Sequence, residues 1–419
     1  MKGKVARAPL TASARRVLWG VGLGTALSII GDASLYIVLP THTADAGVLI
    51  GSVGILLSAN RLVRLVANSG AGWLADRWPR RRIFLPALLL GAFSTAIYAL
   101  TQGFWPLLIG RLAWGIAWSG IWVVGNAIIF DIADEENRGR WVGYYQIAFF
   151  TGASSGAVLG GVLTDWLGFH GAMGVAAVLT LLGLTAAFFL LPETRPIPAI
   201  DKSRPGPEKR EAPRLPPPRR LGELATANAL MVANRIVFAG VLVSTFSLFL
   251  KGLLGDSLQV GGRGIGISTL TGVGLGLSTV LSMVSAPLFG GLSDRIRNRW
   301  RAAAAGLSSG VAGYGLLALG MPLAMLIGLP LTSISSGSNQ GLATALVGDL
   351  TAETQRGRSL GVLYTVGDIG SALGPLLAYG LIPYWGLNGI YGMAAVLMGV
   401  MLLAAVGWGS LRPLPVSEG

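Results

Sequence analysis

The sequence predicts an all-α, polytopic membrane protein with twelve transmembrane helices in two pseudo-symmetric bundles of six. Three observations predict it. Of the 419 residues, 52% are hydrophobic and only 12% charged, a balance outside the range of soluble domains. Apolar segments of about 20 residues, long enough to cross a ~30 Å hydrocarbon layer as helices, recur down the whole chain. The charged landmarks of the first half return in the second at a fixed offset. A β-barrel would instead show ~10-residue segments of alternating polarity, and the sequence has none.

In chain order the segments are 17–40, 47–70, 83–101, 104–131, 141–164 and 171–192, then 226–252, 265–290, 301–320, 322–347, 360–382 and 387–410. The first follows a basic N-terminus, as a signal peptide would. It is too long for one, contains Asp32 and lacks a small-x-small cleavage site, so it reads as helix 1. Helix 2 runs out into "GAGWLADRWPRRR" (70–82) and helix 8 into "GGLSDRIRNR" (290–299), with Asp76 and Asp294 218 positions apart. After helices 4 and 10, "DIADEENRGRWVG" (131–143) matches "DLTAETQRGRSLG" (349–361) at the same offset, aligning Asp131 with Asp349 and Arg138 with Arg356. Gly152 and Gly156 of helix 5 align with Gly370 and Gly374 of helix 11. The chain is a duplication: an N-terminal half at 1–194, a C-terminal half at 224–419, and a Pro- and charge-rich segment, 195–223, that reads as a flexible cytoplasmic linker. The 62 glycines suit membrane helices whose backbones approach closely. Two parallel halves of this kind are the architecture of one large class of transporters.

Basic residues orient the bundle. All but six of the 32 Lys and Arg lie in the N-terminus, the linker, the tail and the loops after helices 2, 4, 8 and 10, all on one side if the helices alternate. Of the six, Arg263 is on the other side and five lie within helices. The expected location is therefore the plasma (cytoplasmic) membrane, multi-pass, with both termini cytoplasmic. The net charge of +13 then reflects topology and contact with an anionic lipid bilayer, and calls for no nucleic-acid partner.

Several chemistries are excluded. With no cysteine there is no disulfide or thiolate site. His42 and His170 sit in short loops without a carboxylate cluster, so no metal is expected. "GVGLG" at 20–24 and 272–276 lies inside helices with no strand before it, and no GxxxxGK phosphate loop exists. No cofactor is expected, and the chain does not read as an enzyme.

The motifs together resemble the major facilitator superfamily, closest to its drug/proton antiporter-like members, over nearly the whole chain. "GWLADRWPRRR" and "GGLSDRIRNR" resemble the family's loop motifs after helices 2 and 8, "IGRLAWGIAWSG" (109–120) its helix 4 motif with a buried Arg, and "PET" (192–194) its helix 6 ending. The resemblance implies that Gly72, Asp76, Arg77, Arg80, Asp294, Arg295, Arg138 and Arg356 form a conformational latch between the halves. Here a carboxylate would accept from a facing helix N-terminus or pair with an Arg. Pro79 stands where the family has Gly, which stiffens the loop. "GASSGAVLGG" (152–161) resembles the helix 5 motif of antiporters, with Ala157 in place of its Pro.

Charges inside the helices are candidate functional groups because burying them is costly. They are Asp32, Asp368, Arg61, Arg64, Arg111, Arg235 and Lys251. At 1.5 Å per residue, Asp32 lies roughly 24 Å beyond Arg16 and Arg61 roughly 22 Å before Asp76. Lys251, sixteen residues beyond Arg235, would join them, so helices 1, 2 and 7 bring Asp32, Arg61 and Lys251 to one level. Asp32 and Arg61 read equally as a structural ion pair. Arg235 and Arg64 read as groups reaching the cytoplasmic face. The resemblance associates Arg111 with proton coupling and implies that helices 1, 4, 7 and 10 line a central cavity. On helix 4, Trp114, Trp118 and Trp122 share a face with Arg111, suited either to stacking a planar substrate or to packing. Asn126, Gln146, Asn339 and Tyr364 complete the expected cavity lining.

The expected mechanism is alternating access by a monomer around a central site. Its partners would be a small-molecule substrate and protons, with Asp32 the carboxylate that loads them. Three functions follow: proton-coupled export of amphiphilic or drug-like compounds, transport of an organic or phosphorylated anion bound by buried Arg and Lys, or a non-transporting receptor or lipid-handling protein on the same fold.

Overall fold

The computed structural model describes residues 12–133, 137–194, 218–352 and 355–411, nearly all of them helical. Lys2, Lys4, Arg7 and residues 195–217 of the linker lie outside the described residues. The helices are α1 (Ala12–Val38), α2 (Ile50–Ala75), α3 (Arg81–Leu100), α4 (Phe104–Asp131) and α5 (Arg138–Leu190). Next come α6 (Pro218–Asn234), a π-helical stretch (Arg235–Leu242) and α7 (Val243–Leu254), stacked end to end as one rod. Then follow α8 (Ile267–Arg295), α9 (Arg299–Ala318), α10 (Pro322–Leu350) and α11 (Arg356–Ser410).

Twelve passes emerge from these elements. α5 and α11 run for 53 and 55 residues, too long for one crossing. Each is broken at a glycine with positive φ, Gly168 at 72° and Gly386 at 64°, a conformation in which glycine carries no steric penalty. The two breaks stand 218 residues apart, so the duplication read from the charges is also written in the backbone. Among the described residues eight helical spans are long and apolar enough to cross a membrane, the broken α5 and α11 each counted once. α9 and α10, richer in Ser and Gly, complete the twelve.

Small residues set the packing within each half. On α5, Gly152, Gly156 and Gly160 lie against Ala26, Ile30 and Ser34 of α1, where an added Cβ would come within 2.4–2.7 Å of their backbone or side-chain atoms. The aligned Gly370 and Gly374 of α11 lie against Val232 of α6 and Gly240 of the π-helical stretch. The same four-residue spacing thus seats α5 on α1 and α11 on the seventh pass.

The halves meet along α5 with α8 and α2 with α11, but only toward one end. That end, opposite the chain termini, is the distal end; the other, with the Arg-rich loops, is the basic end. Distally, a Cβ on Gly161 would stand 2.1 Å from the Ser268 carbonyl oxygen, and one on Gly54 2.7 Å from that of Pro375. Ser58 Oγ donates to the Ala372 carbonyl at 2.6 Å. Asp165 of α5 accepts the Thr269 amide in the first turn of α8 at 2.8 Å, satisfying an otherwise orphaned helix N-terminus across the halves. Asp165→Ala removes this cap. Caps are worth ~1 kcal/mol, so about a fivefold population shift away from distal closure is expected. Distance measurements between spin labels on α5 and α8 would read it.

Toward the basic end the halves part. Cβ atoms added at Gly70 and Gly72 of α2, or Gly357 and Gly361 of α11, would meet nothing. An apolar cleft of about 460 Å³ separates Gln146 and Phe150 of α5 from Met283 and Leu288 of α8. The molecule is therefore closed distally and open at the basic end.

One distal element was not anticipated. β1 (Ser257–Val260) and β2 (Arg263–Gly266) form an antiparallel hairpin turned by Gly261 and Gly262, at φ 58° and 80°, as a two-residue primed turn requires. The Gly-Gly pair was its signal.

Candidate functional site

The middle of the N-terminal half is a polar knot in an apolar setting. α1 places Asp32 and Tyr36 one turn apart, α2 supplies Asn60 and Arg61, and α4 supplies Arg111, whose side chain is wholly buried. Gly115 lets α4 approach this closely, since a Cβ there would stand 2.5 Å from the Asn60 carbonyl oxygen. Arg111 Nη1 donates to Asp32 Oδ1 as an ion pair. Its Nε donates to the Leu56 carbonyl at 3.0 Å and its Nη2 to the Tyr36 hydroxyl at 3.2 Å. The Tyr36 hydroxyl donates to the Leu57 carbonyl at 2.8 Å and accepts Arg61 Nε at 2.9 Å, so its one donor and two acceptor positions are filled. Asn60 Nδ2 donates to Asp32 Oδ1 at 3.3 Å.

Asp32 therefore pairs with Arg111, and Arg61 bonds instead to Tyr36. Sequence reasoning missed Tyr36 and Asn60. Their signal was spacing: each lies one turn, or one residue, from a buried charge.

A second charged group bridges the halves. Arg64 of α2 is paired with Asp368 of α11, Nη2 to Oδ2 at 3.1 Å, and only about a fifth of either side chain is exposed. Arg235 opens the π-helical stretch with its stem on α11: its Cγ would lie 3.5 Å from a Cβ on Gly367, and its Cβ 3.3 Å from one on Gly370. Its ionisable neighbours are Asp368, Arg61, Arg64 and Tyr364. The expectation that Arg235 and Arg64 reach the cytoplasmic face is corrected. The seventh pass begins at Pro218, putting Arg235 roughly 25 Å along it.

The same offset corrects Lys251. It stands in the last turn of α7, at the distal rim, paired with Asp256 at 2.7 Å and with 45% of its side chain exposed. Its hydrogen bond holds the Asp256 carboxyl below the usual range. It does not join Asp32 and Arg61.

The helix 4 indoles form a stacked ladder. Trp114 and Trp118 are 6.0 Å apart between ring centroids, Trp118 and Trp122 5.7 Å, and Trp122 and Tyr145 5.4 Å. Trp114 and Trp118 are 2% and 5% exposed and pack in the core of the N-terminal half with Ala87 and Leu88, which corrects their placement on the cavity wall. Trp122 is half-buried against Phe149, and half-buried Asn126 donates to its carbonyl at 2.7 Å. Asn339 is also corrected: it is wholly buried, donates to Ser335 and faces Gly306 of α9. Gln146 lines the apolar cleft, and Tyr364 is 49% exposed.

At the basic end the charged loops bond within halves. Arg80 Nε pairs with Asp131 Oδ2 at 3.1 Å, and its amide and that of Arg81 donate to the Glu193 carboxylate at 2.8 and 3.1 Å. The "PET" segment thus caps α3, a role the sequence reading missed. Opposite, Arg299 pairs with both Asp294 and Asp349. Arg77 lies over its own helix's Trp73 at 4.3 Å, Arg138 over Phe130 at 5.8 Å, and Arg356 donates to the Gly348 carbonyl at 3.1 Å. Gly72 has no side chain to bridge with, and among the described residues the Asp76 and Arg295 side chains make no hydrogen bond or ion pair. Among the described residues no ion pair crosses the halves at this end.

A family model described as the Major Facilitator Superfamily matches residues 21–322 and 236–418. The chain is 27% identical over 327 residues to a class C tetracycline resistance protein of Escherichia coli, covering 77% of this chain and 78% of that one. It is 29% identical over 153 residues to a probable 4-methylmuconolactone transporter of Cupriavidus pinatubonensis, a match spanning 36% of each chain. Among solved structures, a bacterial homologue of the human lysosomal transporter Spinster, inward-facing and occupied, aligns with a TM-score of 0.75 at 18% identity, covering 98% of this chain and all of that one.

Proposed function

The chain belongs to the major facilitator superfamily, a multi-pass membrane transporter and not an enzyme, and from that premise we propose that it is a proton-coupled exporter of small amphiphilic compounds. It works as a monomer in the cytoplasmic membrane with its basic end in the cytoplasm, as the Arg-rich loops favour. The structure then corresponds to the state that loads cargo from inside. The observation that carries the reading is the Asp32–Arg111 pair: a carboxylate within the membrane, 14% exposed, on a wholly buried guanidinium.

Such a pair is bistable. Ionised, Asp32 holds Arg111 and accepts from Asn60; protonated, it loses the charge that holds them, and the guanidinium must rely on Leu56 and Tyr36. A proton arriving from outside would bind Asp32 in the distally open state and leave in the state seen here, exchanging with cargo. The resemblance to a tetracycline resistance protein over three quarters of both chains supports export and a drug-like cargo.

The test uses purified protein in liposomes with a pH-sensitive dye trapped inside. Lipophilic cargo candidates added on one side are expected to drive opposite proton movement. Asp32→Asn, close in size but unable to ionise, is expected to abolish it while leaving cargo exchange intact. Proton movement that persists in Asp32→Asn would remove Asp32 from the coupling.

A further inference from the structure

Two arginines at the centre of the bundle have no carboxylate of their own. The four guanidiniums there are Arg61, Arg64, Arg111 and Arg235, and the carboxylates are Asp32 and Asp368. Asp32 is taken by Arg111 and Asp368 by Arg64. Arg61 has its Nε on the Tyr36 hydroxyl, and among the described residues neither of its Nη groups has an acceptor. Arg235 makes no side-chain hydrogen bond or ion pair among the described residues. Both are half-buried and lie close to the Arg64–Asp368 pair: Arg61 is one turn before Arg64 on α2, and Arg235 has its stem against Gly367 and Gly370 of α11, on either side of Asp368 in the chain. Asp32 and Asp368 act on them only from a distance; a guanidinium at this depth with no carboxylate bonded to it is costly, and a second guanidinium nearby adds to the cost for Arg235. An anion placed between them removes both penalties.

We propose that Arg61 and Arg235 form a carboxylate-binding site, so that the exported compound carries an anionic group at one end and an apolar body. This rests on the export reading above and names its substrate class. The guanidinium fork matches the planar carboxylate with two parallel hydrogen bonds. The Arg64–Asp368 pair beside it holds the neighbouring charge in place and keeps Asp368 from filling the site. With one Arg from each half, a bound carboxylate tethers α2 to the seventh pass, and a dicarboxylate balances both charges. The apolar cleft between α5 and α8 gives the cargo's hydrocarbon part a way in from the same open end.

The experiment measures thermal stabilisation of the full chain in detergent by phthalate, benzoate and benzamide. Phthalate is expected to stabilise most, benzoate less, and the uncharged amide not at all. Arg235→Gln and Arg61→Gln are each expected to weaken phthalate at least tenfold, and Arg235→Lys by less. Lys251→Gln, the same charge change at the distal rim, is expected to leave binding within twofold of the parent. Without ligand, Arg235→Gln is expected to melt no lower than the parent, since it relieves an unpaired charge; an arginine serving only the fold would melt lower when replaced. Equal stabilisation by phthalate and benzamide, or phthalate binding within twofold of the parent in Arg235→Gln, would overturn the proposal. Cargo-driven proton movement lost in Asp32→Asn, alongside either of those results, would leave the export reading standing without its carboxylate.

Discussion

Replacing Arg111 with Leu is expected to destabilise the N-terminal half by about 3–5 kcal/mol, the cost of leaving one member of a buried ion pair behind. Arg111 is wholly buried and ties α4 to both α1 and α2 through Asp32, Tyr36 and the Leu56 carbonyl. Without it, Asp32 keeps only Asn60 as a donor, and the Leu56 carbonyl loses its side-chain partner. The companion variant separates charge from shape. Asp32→Asn with Arg111→Leu removes both ions, and most of the loss is expected to return, because an apolar replacement of a whole buried pair is often neutral. Thermal unfolding of the purified variants, set out as a double-mutant cycle, checks both statements. If Arg111→Leu melts with the parent, the pair contributes nothing to folding and is retained for coupling alone.

The second large effect is expected from Gly161→Val, and it should fall on conformation and not on folding. An added Cβ at Gly161 would stand 2.1 Å from the Ser268 carbonyl oxygen of α8, a backbone atom in the other half that cannot move without parting the distal ends. Overpacking of this kind costs ~1–3 kcal/mol, enough to shift the closed-to-open ratio by roughly 5- to 150-fold. Gly374→Val makes the contrast. Its Cβ would meet the Gly240 Cα at 2.4 Å inside the C-terminal half, so that variant should lose thermal stability and yield. Spin-label distances across the distal ends of α5 and α8 should lengthen in Gly161→Val while its melting temperature stays near the parent's. Unchanged distances would mean that the α5–α8 contact is not what holds the distal end shut.

Much of the architecture was legible before any coordinates, because bilayer thickness fixes helix length and a duplication repeats its charges. The 218-residue offset that aligned Asp76 with Asp294 also spaces Gly168 from Gly386, where the backbone breaks. Pairing was less legible. Asp32 could be placed at the level of Arg61 by counting residues, but which cation it meets depends on how closely α4 rides on α2. That is decided by Gly115, a residue with no charge to draw notice. Lys251 and Arg235 were misplaced together, since counting from the wrong helix start moved one to the rim and the other to the centre. The tryptophan spacing on α4 was correct as a ladder, but 3.6-residue periodicity gives a shared face without saying what the face meets. Trp114 and Trp118 turned out to meet α3 and α5. The Asp165 cap and the Glu193 cap were beyond sequence reading because both join elements far apart in the chain.

The Arg64–Asp368 bridge has a mechanical consequence. At the basic end every ion pair among the described residues stays within its own half, so the halves can separate there without breaking one. The distal seal is made of carbonyl contacts, the Ser58 and Ser154 hydrogen bonds and one exposed cap, which part cheaply. The cross-half ion pair lies between these ends, where the rocking of the proposed mechanism would place its fulcrum. A bond at the fulcrum can survive the whole stroke, which would let the protein swing open at either end while remaining pinned at its centre.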